Sequence, residues 1–406
     1  MRLKNINNEM MKKFNARNVL KLIFEEEPIS RTEIAKITGL TSSSITNIVN
    51  RFKKDEYVKE SSLGNSSGGR KPINLVMNPT VKFIIGIELN AGNMIGLVTN
   101  FRAQKIKKKV IPTNLNEGKE KVISRMVELI NDLMRDANIS KDKILGIGIA
   151  APGPYDHNKG ILLNPPNFPG WVNVPICDII EQAFEIPVYL EKETTAAALA
   201  EFMFGLGKNY KNIFVIYACS IGIGGGSIIN GSIYHGFCDG AGDIGHMIIN
   251  SDGPKCSCGD RGCLESMASG IYIKNKVINE MKEKRMSQND FHIENIDDLD
   301  VKDIIKCAKE GDNRYTKVID EAAKNLGIGI SNIINLFSPE IIILGGDLTL
   351  GCDQYSDSAI RNAKSRVYPQ YNKDILIEKT SFGDELCAMG AISIVFQKFF
   401  NSIDSI

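Results

Sequence analysis

The sequence predicts an α/β protein that begins with a winged helix-turn-helix head. Three observations carry that expectation. Residues 7–77 read as three short helices and two strands, with a glycine turn between the second and third helices. Beyond them, buried apolar strands alternate with amphipathic helices. Two hairpin-plus-glycine units, near residues 83–99 and 212–230, point to a duplicated body rather than one sheet.

Composition bounds the function classes. The chain has 406 residues, enough for two or three domains and a sizeable core. No apolar run is long enough to span a membrane, and MRLKNINNEMMKKFN lacks the apolar centre of a signal peptide, so the expected location is the cytoplasm. The net charge of +1 hides an asymmetry. Residues 1–82 carry 15 Lys and Arg against 8 Asp and Glu, a net of +7, whereas residues 83–406 carry 34 against 40, a net of −6. A basic head on an acidic body suits a polyanion partner for the head alone; a solvated charged surface is the plainer alternative. The nine cysteines are an odd number with only three clustered, which favours metal binding plus scattered buried thiols over a disulfide framework.

In the head, a first helix over residues 7–25 is stopped by Pro28. Ser30 and Glu33 form a capping-box pattern that starts a second helix, Arg31–Thr38. Gly39 supplies the turn, and a third helix runs from about Thr41–Ser42 to Lys54, burying Ile45, Ile48, Val49 and Phe52. Its outward residues are Thr41, Ser42, Ser43, Thr46, Asn47, Asn50 and Arg51. Short polar groups with one long cation suit phosphates and base edges in a major groove. Strands at residues 57–60 and 73–77 flank SSLGNSSGGRK, whose Arg70 and Lys71 would lie along phosphate or in the minor groove as a wing. Asn78-Pro79 is expected to end the head and begin a hinge.

In the body, strands are expected at residues 83–89, 94–99, 144–150, 188–190, 212–218 and 339–346, and helices at 119–137 and 194–205. Gly222–Gly226 reads as a glycine-rich turn leading into Ser227–Asn230. His246, Cys256, Cys258 and Cys263, spaced H-x9-C-x-C-x4-C, are a complete ligand set for a closed tetrahedral zinc site. Four protein ligands leave no open position for a metal-bound water, so the Zn2+ is expected to be structural and to hold the neighbouring carboxylates Asp243 and Glu265 in place.

GIGIAAPGP, NPPNFPGW, EKETTAAALAE, SIGIGGGSIINGSIYHG, GAGDIGHM, CSCGDRGCLE and PEIIILGG occur in this order. Over about residues 80–400 the chain thereby resembles the ROK family (repressors, open reading frames, sugar kinases). With a winged helix and GGRKP ahead of the body, it is similar to the family's repressor branch, which includes xylose repressors and N-acetylglucosamine- or glucose-responsive regulators. The resemblance implies a two-lobed, actin-like (ribonuclease H-like) ATPase/sugar kinase fold with a sugar in the cleft, a structural zinc, and a homodimer or homotetramer. It divides the chain into a head at residues 1–80, a first lobe at 81–195 completed by a C-terminal helix at about 385–406, and a second lobe at 196–384 with the zinc knot and the oligomerisation surface. It places Glu193, Asp243, His246 and Glu265 on sugar hydroxyls, with Asn167 as a weaker match. Carboxylates suit this task because each offers several acceptor sites.

The resemblance also exposes departures from the family's kinases. Their first phosphate loop, D-x-G-G-T, is Glu88-Leu89-Asn90-Ala91-Gly92 here. Their second, G-T-G-I-G-G-G, has Ser220 and Ile221 at its first two positions. Their catalytic segment, E-N-D-A-N, is Glu191-Lys192-Glu193-Thr194-Thr195. Glu193 is then a vestigial base position that accepts a sugar hydroxyl. Lys192 either pairs with Glu193 or favours an anionic sugar. Trp171 either walls the pocket or belongs to the core. The expected function is sugar-responsive control of carbohydrate uptake and catabolism genes through a palindromic operator, by a repressor that is not an enzyme. The alternatives are an ATP-dependent, glucokinase-like sugar kinase carrying a DNA-binding head, and a ligand-insensitive DNA-binding protein.

Overall fold

The computed structural model describes residues 8–63, 73–283, 296–368 and 375–402. The chain forms two compact units. One holds residues 1–151, 157–191 and 391–406, and the other holds 152–156 and 192–390. The head thus shares a unit with the first sheet.

The head consists of α1 (Asn8–Glu26), β1 (Ile29–Ser30), α2 (Arg31–Thr38), α3 (Ser42–Lys54), β2 (Val58–Leu63) and β3 (Ile73–Met77). Its local signals act as read. The Ser30 hydroxyl accepts the Glu33 amide at 3.2 Å, and the Glu33 carboxylate accepts the Ser30 amide at 2.8 Å. Gly39 ends α2 in the left-handed region at φ 69°, where a side chain would be strained. Ile34, Ile45, Val49, Phe52, Leu75 and Met77 close a small core. Ile37 is instead 60% exposed, and Ile48 is half-buried, because α2 and α3 turn narrower faces inward than their apolar content suggests. The expected hinge at Asn78-Pro79 is tied down within its unit. The Asn78 amide donates to the Tyr57 carbonyl at 2.8 Å, its side chain donates to the Glu56 carbonyl, and Pro79 accepts from the Phe101 amide at 3.0 Å.

The rest of this unit is built on β4 (Phe83–Leu89), β5 (Asn93–Asn100), β6 (Lys105–Pro112), α4 (Lys119–Asp136), β7 (Ile144–Ala151), α5 (Ile176–Phe184) and β10 (Val188–Lys192, its last residue belonging to the other unit); two short strands, β8 (Tyr155–Asp156) and β9 (Ile161–Leu162), follow β7. The sheet order is β10-β7-β4-β5-β6, an antiparallel meander of β4, β5 and β6 with β7 added parallel to β4. A Cβ on Gly148 would come within 1.9 Å of the Ala391 carbonyl, so the C-terminal helix lies directly on β7.

The second unit contains α6 (Glu193–Phe204), β11 (Ile213–Ala218), β12 (Ile223–Ile229), β13 (Ser232–Ile233), α7 (Leu264–Ala268), α8 (Gly270–Lys282), α9 (Val301–Lys309), α10 (Asn313–Phe337), β14 (Ile341–Gly345), α11 (Asp347–Gly351), α12 (Asp353–Arg366) and β15 (Leu376–Lys379); α13 (Leu386–Asn401) begins here and ends in the first unit. Its sheet, β13-β12-β11-β14-β15, repeats the first plan: a three-strand meander, then strands added parallel to its opening strand. The expected duplication is therefore a repeat of topology.

One expectation is corrected. Gly224, Gly225 and Gly226 lie within β12 and not in a turn. A Cβ on Gly226 would stand 2.1 Å from the Thr194 carbonyl, so the strand runs against the backbone of α6. The glycines serve close approach rather than reversal. Among the described residues, no helix is long and apolar enough to cross a membrane.

Candidate functional site

The cysteine-histidine segment folds into one knot. The ligand atoms of His246, Cys256, Cys258 and Cys263 all lie within 4.8 Å of one another. Cys256 Sγ is 3.6 Å from His246 Nδ1, and Cys258 Sγ is 3.7 Å from Cys263 Sγ. A tetrahedral ion with metal–sulfur bonds of about 2.3 Å has ligand–ligand edges of roughly 3.8 Å, so the spacing fits a zinc-sized ion. The turn is made locally: the Cys256 amide donates to the Asp260 carbonyl at 2.7 Å, and the Gly259 amide donates back to Cys256 at 3.1 Å. Gly262, at φ 71°, passes so close to Asn250 that a Cβ would lie 1.5 Å from its carbonyl oxygen.

The knot touches the glycine strand through Glu265, on α7. One oxygen of Glu265 accepts the Ile223 amide at 3.2 Å, and the other accepts the Ser257 hydroxyl at 3.4 Å. Asp243 and His246 flank a single 3-10 turn, Ile244–His246. Gly245 in that turn packs on the Ile223 carbonyl and the Glu265 Cβ. Asp243, His246 and Glu265 are therefore organised by one small structure. Asp243 and His246 are exposed, and Glu265 is half-buried.

Glu193 opens α6 in the same unit. Burial pushes its carboxyl up to about 7, a rise opposed by Lys192 and increased by Asp243. Its Oε2 and the neighbouring Thr194 hydroxyl are buried without a hydrogen-bond partner. Such orphaned groups carry a penalty of about 1–3 kcal/mol each unless a ligand or water meets them. The Lys192 ammonium, on a side chain 7% exposed, pairs with Asp243, and its charge also opposes the rise at Glu193. That pair holds Asp243 beside the start of α6.

Asn167 lies in the other unit, exposed, on the loop that carries Phe168 and Trp171. Trp171 is fully buried and meets Phe168 edge-on with ring centroids 5.4 Å apart, which makes it a core residue. Its indole N–H is a further buried donor without a partner. The turn between β4 and β5 is closed by its own side chain. Asn90 Oδ1 accepts the amides of Gly92 and Asn93, each at 2.9 Å. Backbone donors that a glycine loop would offer to phosphate are thereby occupied.

In the head, Thr41, Ser42, Ser43, Thr46, Asn47, Asn50 and Arg51 are all exposed, while Ile45, Val49 and Phe52 fill the opposite face of α3. Thr41 is the N-cap and accepts the Ser44 amide at 3.2 Å. Thr46 donates to the Ser42 carbonyl at 2.8 Å. Arg51 meets Asp55 at 3.6 Å in an exposed pair, weak enough to exchange for phosphate. Arg70 and Lys71 lie outside the described residues.

The ROK family's sequence profile matches residues 84–398. The chain belongs to the ROK family. A second profile, described as winged helix-turn-helix DNA-binding, matches residues 15–59. The ROK chain is 33% identical over 391 residues to a xylose repressor of Caldicellulosiruptor bescii, covering 96% of this chain and 97% of that protein. It is 30% identical over 273 residues to a glucokinase of Halalkalibacterium halodurans, covering 67% and 82% respectively. It also superposes on the crystal structure of a ROK family transcriptional regulator, a homologue of the E. coli MLC protein, with TM-score 0.82, 26% identity, and coverage of 96% and 97%. The fold is thus a winged helix-turn-helix joined to a ROK body of the actin-like type.

Proposed function

We propose that this ROK protein is a sugar-responsive transcriptional repressor of carbohydrate uptake and catabolism genes, working in the cytoplasm as a homodimer or homotetramer on a palindromic operator. The observation that carries the reading is the joining, in one chain, of an exposed Ser/Thr/Asn/Arg helix face to a body with orphaned polar groups at Glu193 and Thr194. The end-to-end similarity to a xylose repressor supports it. In this reading Thr41, Ser42, Ser43, Thr46, Asn47, Asn50 and Arg51 meet DNA, with Arg70 and Lys71 on the wing, and two heads address half-sites of one operator.

Asn167, Glu193, Asp243, His246 and Glu265 receive the sugar, and Glu193 binds rather than catalyses. Zn2+ on His246, Cys256, Cys258 and Cys263 is structural. His246 serves twice, its Nδ1 in the ligand cluster and its Nε2 free for a sugar hydroxyl. A sugar that binds one arrangement of the body more tightly than another shifts the population and hence operator affinity.

The kinase relative keeps phosphoryl transfer in view as a second reading. The Asn90-closed turn opposes it, because that chemistry depends on stabilised phosphates. The test is operator selection followed by binding assays across pentoses, hexoses, amino sugars and their phosphates. A coupled ADP-release assay with the same sugars accompanies it. A preferred DNA sequence whose affinity changes with one sugar is the expected result. Absence of any sequence preference, or sugar-dependent ADP release, sinks the proposal.

A further inference from the structure

The turn between β11 and β12, Cys219–Gly222, is flanked by two of the protein's own carboxylates. Asp347, at the start of α11, accepts the Ser220 amide at 2.7 Å with one oxygen and the Ser220 hydroxyl at 2.6 Å with the other. On the far side Glu265 accepts the Ile223 amide, and its Oε2 lies 2.6 Å from where a Gly222 Cβ would be. Glycine turns that present successive amides after a strand are anion nests. Here the Ser220 end of the turn is held by Asp347, and Glu265 sits at the first amide of β12 just beyond it.

The turn borders a cavity of about 690 Å³. Tyr217, Ile305, Leu348 and Leu350 give it apolar walls; Lys302, Lys306 and Lys309 line it from α9, against the two carboxylates Asp347 and Asp384. Lys309 donates to the Gly351 carbonyl at 3.0 Å. The cavity is therefore large enough for a flat apolar ring with an attached anion, and its lysines favour one. The feature that opposes a phosphate chain is the carboxylate seated on Ser220. A phosphate approaching those donors would have to displace Asp347 and then remain beside its charge.

We propose that Asp347 is an internal anion that closes the Cys219–Gly222 turn to phosphate, and that this one side chain is what keeps the adjoining cavity from holding a nucleoside phosphate. The inference deepens the reading that this ROK protein does not transfer phosphate, and it assigns the loss of phosphate binding in this unit to one residue.

The test is calorimetric titration of ADP and of adenosine into the full-length wild type, Asp347→Ala and Asp347→Asn. Asp347→Ala should bind ADP at least tenfold more tightly than the wild type. Asp347→Asn, which removes the charge but keeps an acceptor for Ser220, should fall between them. Adenosine, which has no phosphate, should bind all three alike. Equal ADP affinity in the three proteins, including no binding by any, overturns the proposal. A gain for adenosine as large as that for ADP also overturns it, since it would mean that the cavity had merely widened. Asp347→Asn, close in shape to the original, covers the case in which the alanine variant fails to fold. Tight ADP binding by the wild type refutes this role for Asp347, and ADP turnover with a sugar separately refutes the non-kinase reading.

Discussion

Glu27 and Arg102 form an ion pair at 2.5 Å, and the second oxygen of the same carboxylate accepts the Met77 amide at 2.5 Å. Glu27 directly follows α1 of the head, Met77 ends its wing strand, and Arg102 sits in the β5–β6 turn of the first sheet. Around this clamp the rings of Phe24, Tyr57, Phe101, Phe396, Phe399 and Phe400 pack with centroid separations of 4.9–6.4 Å. Arg17 adds a hydrogen bond to the Asn401 carbonyl at 3.1 Å. The head is thereby joined to the first sheet and to the end of α13.

Removing the arginine tests that joint. In Arg102→Ala, Glu27, with a side chain only 10% exposed, loses its counter-ion, but the partner is 37% exposed and solvent recovers part of the cost. A loss of about 1–2 kcal/mol is expected in urea unfolding. The sugar-dependent change in operator affinity should shrink at the same time, while operator affinity without sugar is largely kept. Full retention of the sugar response would show that the clamp stabilises the head without coupling it.

The pH dependence of stability follows from Glu193. Its carboxyl is pushed up to about 7 in the folded protein from a reference of 4.5, chiefly by burial. The folded value is raised, so the stabilising preference for the protonated form is complete below the unfolded value and is lost as pH rises through about 7. Glu193→Gln should therefore match the wild type near the lower limit and exceed it above the upper one, by up to about 3 kcal/mol. Denaturant melts at intervals across that range check it. A constant difference between the two proteins would mean that Glu193 does not titrate there.

The metal knot is tested by Cys258→Ser. Loss of one thiolate from a four-ligand set should release the zinc, read as metal content per chain, and sugar binding should fall with it. Loss of zinc with sugar affinity intact would refute the organising role given to the knot.

The DNA surface separates by type of contact. Arg51→Ala should weaken operator and non-operator DNA alike, and should reduce the slope of log affinity against log salt by about 1. Asn47→Ala should cost about 1–3 kcal/mol on the operator alone if Asn47 reads a base. A uniform loss for Asn47→Ala would make it a backbone contact.

Much of the fold was legible because its signals are local. The Ser30–Glu33 box and Gly39 set the ends of α2, and the H-x9-C-x-C-x4-C spacing brought four ligand atoms together as read. Edge strand β6 escaped notice because KIKKKVIP is largely exposed and has no clean alternation to mark a buried face. The β12 glycines were misread because the sequence cannot distinguish a glycine that turns from one that lets two backbones touch. Only the Thr194 carbonyl behind Gly226 decides between them.

By itself, the sequence determined the head, the knot, the duplicated alternation of strands and helices, and the face of α3 that meets solvent. These follow from capping, periodicity and ligand spacing within a few residues of chain. The tertiary structure decided the partners: Lys192 with Asp243, Glu27 with Arg102, and Asp347 on Ser220 across 127 residues. A charged side chain does not encode which distant group it will meet. That choice is made when strands and helices pack, and burial then makes a charge such as that of Lys192 or Glu27 costly to leave unpaired.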